Sequence, residues 1–409
     1  MSRDEGDAGS RLKVGVSIRA QMDKAYPHGG DVRGLAARLG VAAGDILDFS
    51  ANINPYGPPE GWRAAALRAL ENPERYPDPE CRDLRKLIAG KYGSSPERIV
   101  VANGASEALD AAARALCRGR AGRRGVVPAP SYSDYLQACL KAGAGDGTRT
   151  LRFMLPGERG FALDLPALLA AAPEGSFAVI GRPNNPTALD PGYDAVVAAA
   201  EARPDMDFIV DESFLDFIPG AISVAAARLD NIIAVHSLTK FYSIPALRAG
   251  FVDAAPAICA RVALELPCWS VNAVAMRVAE HSLRDDGFAA RSRRLVAGDR
   301  AQLAGILGSL PGLAVFPSVV NFLLLRLTGV AVPDAHRLAR RLLENHRIAI
   351  RAFGGREGLD KSYFRVAVRS GDDNERLGVA LSRELCGTTG AGDEPRAPDL
   401  DAIYGMPGC

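Results

Sequence analysis

A chain of 409 residues is too long for one small core, so two domains are expected. Hydrophobic residues make up 48% and charged residues 24%, the balance of a soluble globular enzyme, and a formal net charge of +1 leaves no strong field for nucleic acid or an anionic membrane. The seven cysteines (Cys81, Cys117, Cys139, Cys259, Cys268, Cys386, Cys409) are scattered with no CxxC pair, so neither a disulfide framework nor a metal site is expected.

The opening residues Met1–Asp7 are polar with no apolar stretch behind them, which argues against a signal peptide. No uncharged apolar run approaches the roughly 18–20 residues that span a bilayer. A cytoplasmic location is the expectation. The basic runs Arg118–Arg124 and Arg291–Arg294 read as solvated faces.

Residues 1–25 are read as a mobile arm. The segment 26–70 holds an amphipathic helix with Val32, Leu35, Ala36 and Leu39 on one face, a short strand at Leu47–Phe49 and a helix around Gly61–Leu70. A helix at Arg82–Tyr92 follows the turn at Tyr76-Pro77-Asp78-Pro79. Strand patterns then fall at Ile99–Ala102, Gly125–Pro128, Phe177–Gly181, Phe208–Val210, Ile232–Val235 and Gly250–Val252. Helical patterns separate them at Glu107–Leu116, Tyr132–Ala142, Pro191–Ala202 and Val262–Leu266. This alternation describes an α/β domain over 71–266, with a mostly parallel sheet covered on both faces. Ligands of such sheets collect at the carboxyl ends of strands.

Beyond Pro267 a long helical region at Asn272–Leu307 leads to strands at Val319–Leu327 and Tyr363–Val368 with a helix at Ala335–Asn345 between them. This reads as a smaller α+β domain, 267–386, joined by the segment 26–70. Residues 387–409 are too poor in apolar side chains to pack and read as a tail.

The most informative stretch runs from Ser237 to Arg248. Lys240 sits three residues after Ser237 and eight before Arg248, between the apolar runs Ile232–Val235 and Ala249–Val252. That layout suits a lysine bonded to an aldehyde cofactor, with Ser237 and Arg248 on the cofactor's phosphate, because the planar fork of arginine binds phosphate oxygens in pairs. Upstream lie Asn184-Asn185-Pro186-Thr187 and the run Phe208–Val210 ending in Asp211-Glu212. Gly104-Ala105-Ser106 follows a strand and opens a helix, where exposed N–H groups bind anions.

Together these motifs resemble the signature of pyridoxal-phosphate (PLP) enzymes of the aspartate-aminotransferase fold. The resemblance implies a large domain with a mostly parallel seven-stranded sheet, a smaller α+β domain, and a homodimer as the active unit. It also implies that Tyr132 stacks on the pyridine ring, that Asp211 keeps the ring nitrogen protonated, and that Asn185 meets the phenolic oxygen or the substrate carboxylate. Tyr76 matches the tyrosine that the neighbouring subunit lends to the phosphate. Phe214 replaces a frequent tyrosine, and Ala188 and Ala246 stand where glycine is common.

His28-Gly29-Gly30, then Asn52-Ile53-Asn54-Pro55, Ile348–Arg351, Arg365 and Asp211–Pro219 narrow the likeness to the threonine-phosphate decarboxylases of cobalamin biosynthesis. There His28, Gly29, Asn52, Asn185, Arg351 and Arg365 match positions that contact a phosphorylated amino acid. The implied reaction is decarboxylation of O-phospho-L-threonine to (R)-1-amino-2-propanol phosphate, with Lys240 and Asp211 as catalytic residues. The sequence leaves open an aminotransferase similar to histidinol-phosphate aminotransferase, and a decarboxylase of phosphoserine or an aminophosphonate. A PLP-binding transcription regulator would need a DNA-binding domain, for which the arm before residue 26 has no room.

Overall fold

Strands and helices are given by a computed structural model, which describes residues 12–14, 29–120, 122–144, 150–329, 332, 334–355 and 357–386. His28 and the tail 387–409 lie outside the described residues. In chain order the strands are β1 (Leu12–Val14), β2 (Leu47–Asp48), β3 (Ile99–Ala102), β4 (Gly125–Ala129), β5 (Thr150–Met154), β6 (Phe177–Gly181) and β7 (Asp207–Asp211). They continue as β8 (Ile232–Ser237), β9 (Gly250–Ala254), β10 (Leu313–Val315), β11 (Phe322–Leu327), β12 (Ile348–Ala349), β13 (Arg351–Phe353) and β14 (Tyr363–Ala367).

The chain divides into two units. The first comprises β1, Tyr56–Asn185 and Leu189–Arg294; the second comprises the segment up to Pro55, Pro186–Ala188, and the chain from Leu295 on. The sheet of the first unit has the order β1-β5-β4-β6-β7-β8-β9-β3. The strands from β5 to β8 run parallel, and β9 lies antiparallel between β8 and β3. These seven strands form the expected mostly parallel sheet. β4, β6, β8 and β9 are buried at every position, which is why they read as short continuous apolar runs.

One face of this sheet is packed by the helices Ala105–Cys117, Ser133–Cys139 and Pro256–Ala263 against Val179, Ile209, Ile233, Val235 and Val252. The helix Ala105–Cys117 buries five alanines, at 108, 111, 112, 113 and 115, and these small side chains let its backbone lie close to the strands. Because strand residues alternate between faces, Asp211 shares that face with Ile209, and Ser237 shares it with Val235.

Several expectations need correction. The arm 1–25 is not featureless, since β1 pairs antiparallel with β5. β5 itself was not expected, because its apolar pattern is broken by Arg152, which is buried. The helix expected at Val262–Leu266 instead spans Pro256–Ala263, with Pro256 at its start, where no amide donor is needed. The region Asn272–Leu307 is two helices, Ala273–Leu283 and Asp286–Gly308. The first is capped by Asn272 Oδ1, which accepts from Ala275 N at 2.8 Å.

The domain limits shift as well. The helix Trp62–Ala69 packs on Ala273–Leu283, so 56–70 belongs with the first unit rather than the small domain. For the same reason the second limit falls inside the helix Asp286–Gly308 and not at Pro267.

In the second unit the antiparallel sheet β10-β11-β14-β13 is joined by the parallel pair β12-β2. Leu47 pairs with Ile348, and Ala36, Ile46, Leu343 and Ala349 cluster beneath the helix Val32–Leu39. No helix of the described residues is long and apolar enough to cross a membrane.

Candidate active site

Gly104 separates β3 from the helix Ala105–Cys117 and adopts φ +91°. A Cβ there would lie 2.5 Å from Arg248 Nη2, so only glycine lets the guanidinium rest on the start of this helix. Arg248 itself sits at φ +62°, with Nη1 3.3 Å from Pro245 O. Gly250 lies against the same turn, since a Cβ on it would be 2.5 Å from Ala105 N. Ser237 is the register partner of Gly250 across β8 and β9. The arrangement therefore gathers Gly104, Ala105, Ser237 and Arg248 around one helix N-terminus, a cationic cradle suited to a phosphate.

Ser237 ends β8 and caps the short helix Leu238–Phe241, which carries Lys240. Its Oγ is 2.7 Å from Thr239 Oγ1 and 3.3 Å from Thr239 N. Ser106 departs from the simple picture. Its hydroxyl donates to Asp134 Oδ2 at 3.0 Å, which leaves its backbone N–H as the natural anion contact.

Asp211 ends β7 and is 8% exposed. Its Oδ2 accepts from Tyr135 Oη at 2.7 Å, and its Oδ1 accepts from Ser213 N at 2.9 Å and Ser213 Oγ at 2.5 Å. Burial pushes this carboxyl up, against the pull of the Ser213 and Tyr135 hydrogen bonds. A buried acid in that condition gains from a cation at close range, which a protonated ring nitrogen supplies. Tyr132 meets Tyr135 edge to face at 5.7 Å between ring centroids, and burial also pushes the Tyr132 hydroxyl up. Asn184 Nδ2 donates to Pro130 O at 3.1 Å and fixes the turn before Asn185. The phosphate cradle and the buried acid together fit PLP.

Tyr135, Ser213, Gly181 and Asp134 were not singled out by sequence. Gly181 belongs with Tyr135, because a Cβ on it would fall 2.8 Å from Tyr135 Oη. The one available signal was the Asp-x-Ser spacing of Asp211 and Ser213, a common side-chain-to-backbone turn. Tyr76 is 79% exposed and stacks on Trp269 at 4.5 Å. Phe214 is buried and stacks on Phe217 at 6.4 Å.

In the second unit Gly29 and Arg365 meet at Ser50. A Cβ on Gly29 would be 2.2 Å from Ser50 O, and Arg365 Nη2 donates to the same oxygen at 2.8 Å. Ser50 Oγ accepts from Gly30 N at 2.9 Å and donates to Asp48 Oδ1 at 2.6 Å. Ser50 and Asp48 thus anchor the glycine pair, a role that the sequence reading missed. Asn52 is buried, and its Oδ1 accepts no hydrogen bond among the described residues. Arg351 is the register partner of Arg365 across β13 and β14, which sets both on one face. No group of His, Cys, Asp or Glu able to hold a metal ion occurs among the described residues.

This fold and cradle define a PLP-dependent enzyme of the aspartate-aminotransferase-like fold. Residues 44–383 match the family model of aminotransferase class I and II, and the chain belongs to that family; its cofactor is pyridoxal 5'-phosphate. It is 35% identical over 365 residues to threonine-phosphate decarboxylase of Salmonella typhimurium, covering 88% of this chain and 97% of that one. It is 33% identical over 367 residues to the adenosylcobalamin biosynthesis bifunctional protein CobDQ of Leptospira interrogans, covering 88% of this chain but 41% of that protein. Among solved structures, histidinol-phosphate aminotransferase from Clostridium acetobutylicum superposes with a TM-score of 0.75 at 25% identity, covering 84% and 100% of the two chains. Aspartate aminotransferase from Thermus thermophilus does so with a TM-score of 0.74 at 22% identity, over 91% and 100%, which bears on the fold alone.

Proposed function

We propose that this protein decarboxylates O-phospho-L-threonine, releasing carbon dioxide and (R)-1-amino-2-propanol phosphate, as a cytoplasmic homodimer of cobalamin biosynthesis. The observation that carries the reading is the opposed pair Arg351 and Arg365. Arg351 and Arg365 stand in register on one sheet face, so two guanidinium-bearing residues can serve one ligand with two anionic groups. A substrate with both a phosphate dianion and a carboxylate suits such a pair. The likeness to threonine-phosphate decarboxylases supports the choice among such substrates.

PLP, when bound, supplies an electron sink for negative charge developing at the substrate Cα. Gly104, Ala105, Ser106, Ser237 and Arg248 hold its phosphate, joined by Tyr76 of the neighbouring subunit. Tyr132 covers the ring, Asn185 contacts the phenolic oxygen, and Asp211 keeps the ring nitrogen protonated. Lys240 Nζ anchors the cofactor and afterwards returns a proton to Cα, where the electron pair left by the departing carboxylate resides. Arg365 takes the substrate carboxylate, and His28, Gly29, Asn52 and Arg351 its phosphate.

The test is a substrate panel assayed for gas and for keto acid. Phosphothreonine should release carbon dioxide far faster than threonine. Loss of two charge-assisted hydrogen bonds, at about 1.5–3 kcal/mol each, corresponds to roughly two to four orders of magnitude. Equal rates on the two amino acids would overturn the assignment. Amino transfer from histidinol phosphate to 2-oxoglutarate without carbon dioxide would replace it with the aminotransferase reading, which the likeness to the Clostridium acetobutylicum enzyme favours.

A further inference from the structure

On the sheet face opposite Asp211, three buried charges meet across the ends of three adjacent strands. Arg182 directly follows β6, Glu212 directly follows β7, and His236 is the residue before Ser237 at the end of β8. Strand alternation turns Glu212 and His236 away from the face that Asp211 and Ser237 share. Arg182 Nη1 donates to Glu212 Oε1 at 2.5 Å and to Ile222 O at 2.8 Å, and its Nε lies 3.3 Å from Asp190 Oδ1. Glu212 Oε1 also accepts from Val224 N at 3.0 Å, while its Oε2 lies 3.2 Å from His236 Nε2. Ser223 Oγ is 3.3 Å from the same ring nitrogen. The Glu212 and His236 side chains are 0% and 2% exposed, so water does not screen them.

Arg182, Glu212 and Asp190 alone leave one negative charge in excess, and an imidazolium at His236 balances it. The other groups around the ring do not supply that charge. Phe251 of β9 stacks on it at 4.5 Å, and Tyr92 of the helix Arg82–Tyr92 lies at 4.9 Å. Tyr92 Oη donates to Asp216 Oδ2 at 2.8 Å, and Arg293 Nε donates to the Asp216 carbonyl at 2.7 Å. Burial pushes the Asp216 carboxyl up, against the pull of the Tyr92 hydrogen bond, and its charge adds to that of Glu212 in favouring the imidazolium. Asp253 is paired with Arg98 at 3.2 Å, and Lys91 with Asp286 at 2.8 Å. Burial alone would push the His236 imidazolium down, but the hydrogen bond and charge of Glu212 outweigh it and leave the ring above its ordinary value.

We infer that His236, as an imidazolium, is a positioning residue for the cofactor. With Glu212 and Arg182 it locks the ends of β6, β7 and β8, which lead to Asn185, Asp211 and Lys240, so cofactor affinity falls as His236 loses its proton. A raised folded value means that the lock's contribution to folding is complete below the ordinary imidazole range and disappears as pH rises through the folded value; where the lock is lost, binding the cofactor has to restore it at a cost in affinity.

The experiment compares PLP binding to the apo forms of wild type and His236→Gln from roughly pH 5 to 8, where an ordinary imidazole titrates, and on upward through the raised value. The variant should bind about tenfold more weakly at the acid end, the scale of one charge-assisted hydrogen bond. The two affinities should converge as pH rises. In wild-type apo-protein the His236 ring proton signal should titrate above the ordinary imidazole value, a readout that needs no variant to fold. A ratio independent of pH, equal affinities throughout, or a ring titrating at or below its ordinary value would each overturn the inference.

Discussion

Arg351 and Arg365 are cross-strand partners in β13 and β14, so two guanidinium-bearing residues share one face of the second unit's sheet. Arg365 is committed through Nη2 to Ser50 O, and its guanidinium lies over the Phe322 ring at 5.4 Å; Arg351 lies over Phe353 at 5.9 Å. Arg351→Ala should shrink the preference for phosphothreonine over threonine. Arg365→Ala should lower kcat/KM for both substrates alike. Loss of stability with an unchanged preference in Arg351→Ala would make this arginine a packing residue only.

The role proposed for Asp211 sets function and stability in opposition. Its carboxyl is raised by burial, so the folded protein binds that proton more tightly than the unfolded chain does. Folding of the apo-protein is therefore favoured below the ordinary carboxylate range, and that advantage is lost as pH rises through the raised value. Asp211→Asn removes the buried charge. At neutral pH the apo variant should melt no lower than wild type, yet bind PLP more weakly and lose most turnover, because nothing then holds the ring nitrogen's proton. Near-normal turnover would show that the carboxylate serves only to hold Tyr135 and Ser213.

Ala188 holds φ +61° in a fully buried position where this fold often has glycine. Its carbonyl accepts from Val319 N at 3.3 Å, so the backbone shape is kept although the residue disfavours it. A left-handed alanine costs about 1–2 kcal/mol. Part of any gain from glycine is lost to its freer unfolded chain. Ala188→Gly should raise stability by a net ~0.5–1 kcal/mol in urea melts, with the slope unchanged. A lower midpoint would mean that the alanine methyl packs well enough to outweigh the strain.

How much of the site was legible follows from where its parts lie. Ser237, Lys240 and Arg248 fall within one short stretch, and Asp211 closes an apolar run, so residue order alone singles them out as candidates. Tyr135 and Gly181 contribute through a contact between a helix and the end of β6, and linear spacing encodes no such contact. Ser50 escaped notice because its two tasks, holding Gly30 N and accepting from Arg365, connect segments more than three hundred residues apart in the chain. The fold was legible where strands are uniformly apolar, as in β6 and β8. It was not legible at β5, where Arg152 interrupts the run, nor at the break between Leu283 and Asp286, where the helical pattern continues across a turn.

The proposed sharing of Tyr76 gives a test of composite sites. Tyr76 is 79% exposed yet stacked flat on Trp269, at 4.5 Å and 23° between ring planes, an arrangement that holds its ring in place at the surface. Tyr76→Ala should weaken PLP binding, and Lys240→Ala should abolish turnover, each alone leaving little activity. Mixed under conditions that exchange subunits, the two variants form heterodimers in which one site has both an intact lysine and an intact partner tyrosine. Equal mixing makes about half the dimers mixed, so recovery should approach roughly a quarter of wild-type activity. Exchange proven by differently tagged subunits with no recovery would show that Tyr76 serves its own subunit. A protein that is active as a monomer would rule out the shared site altogether.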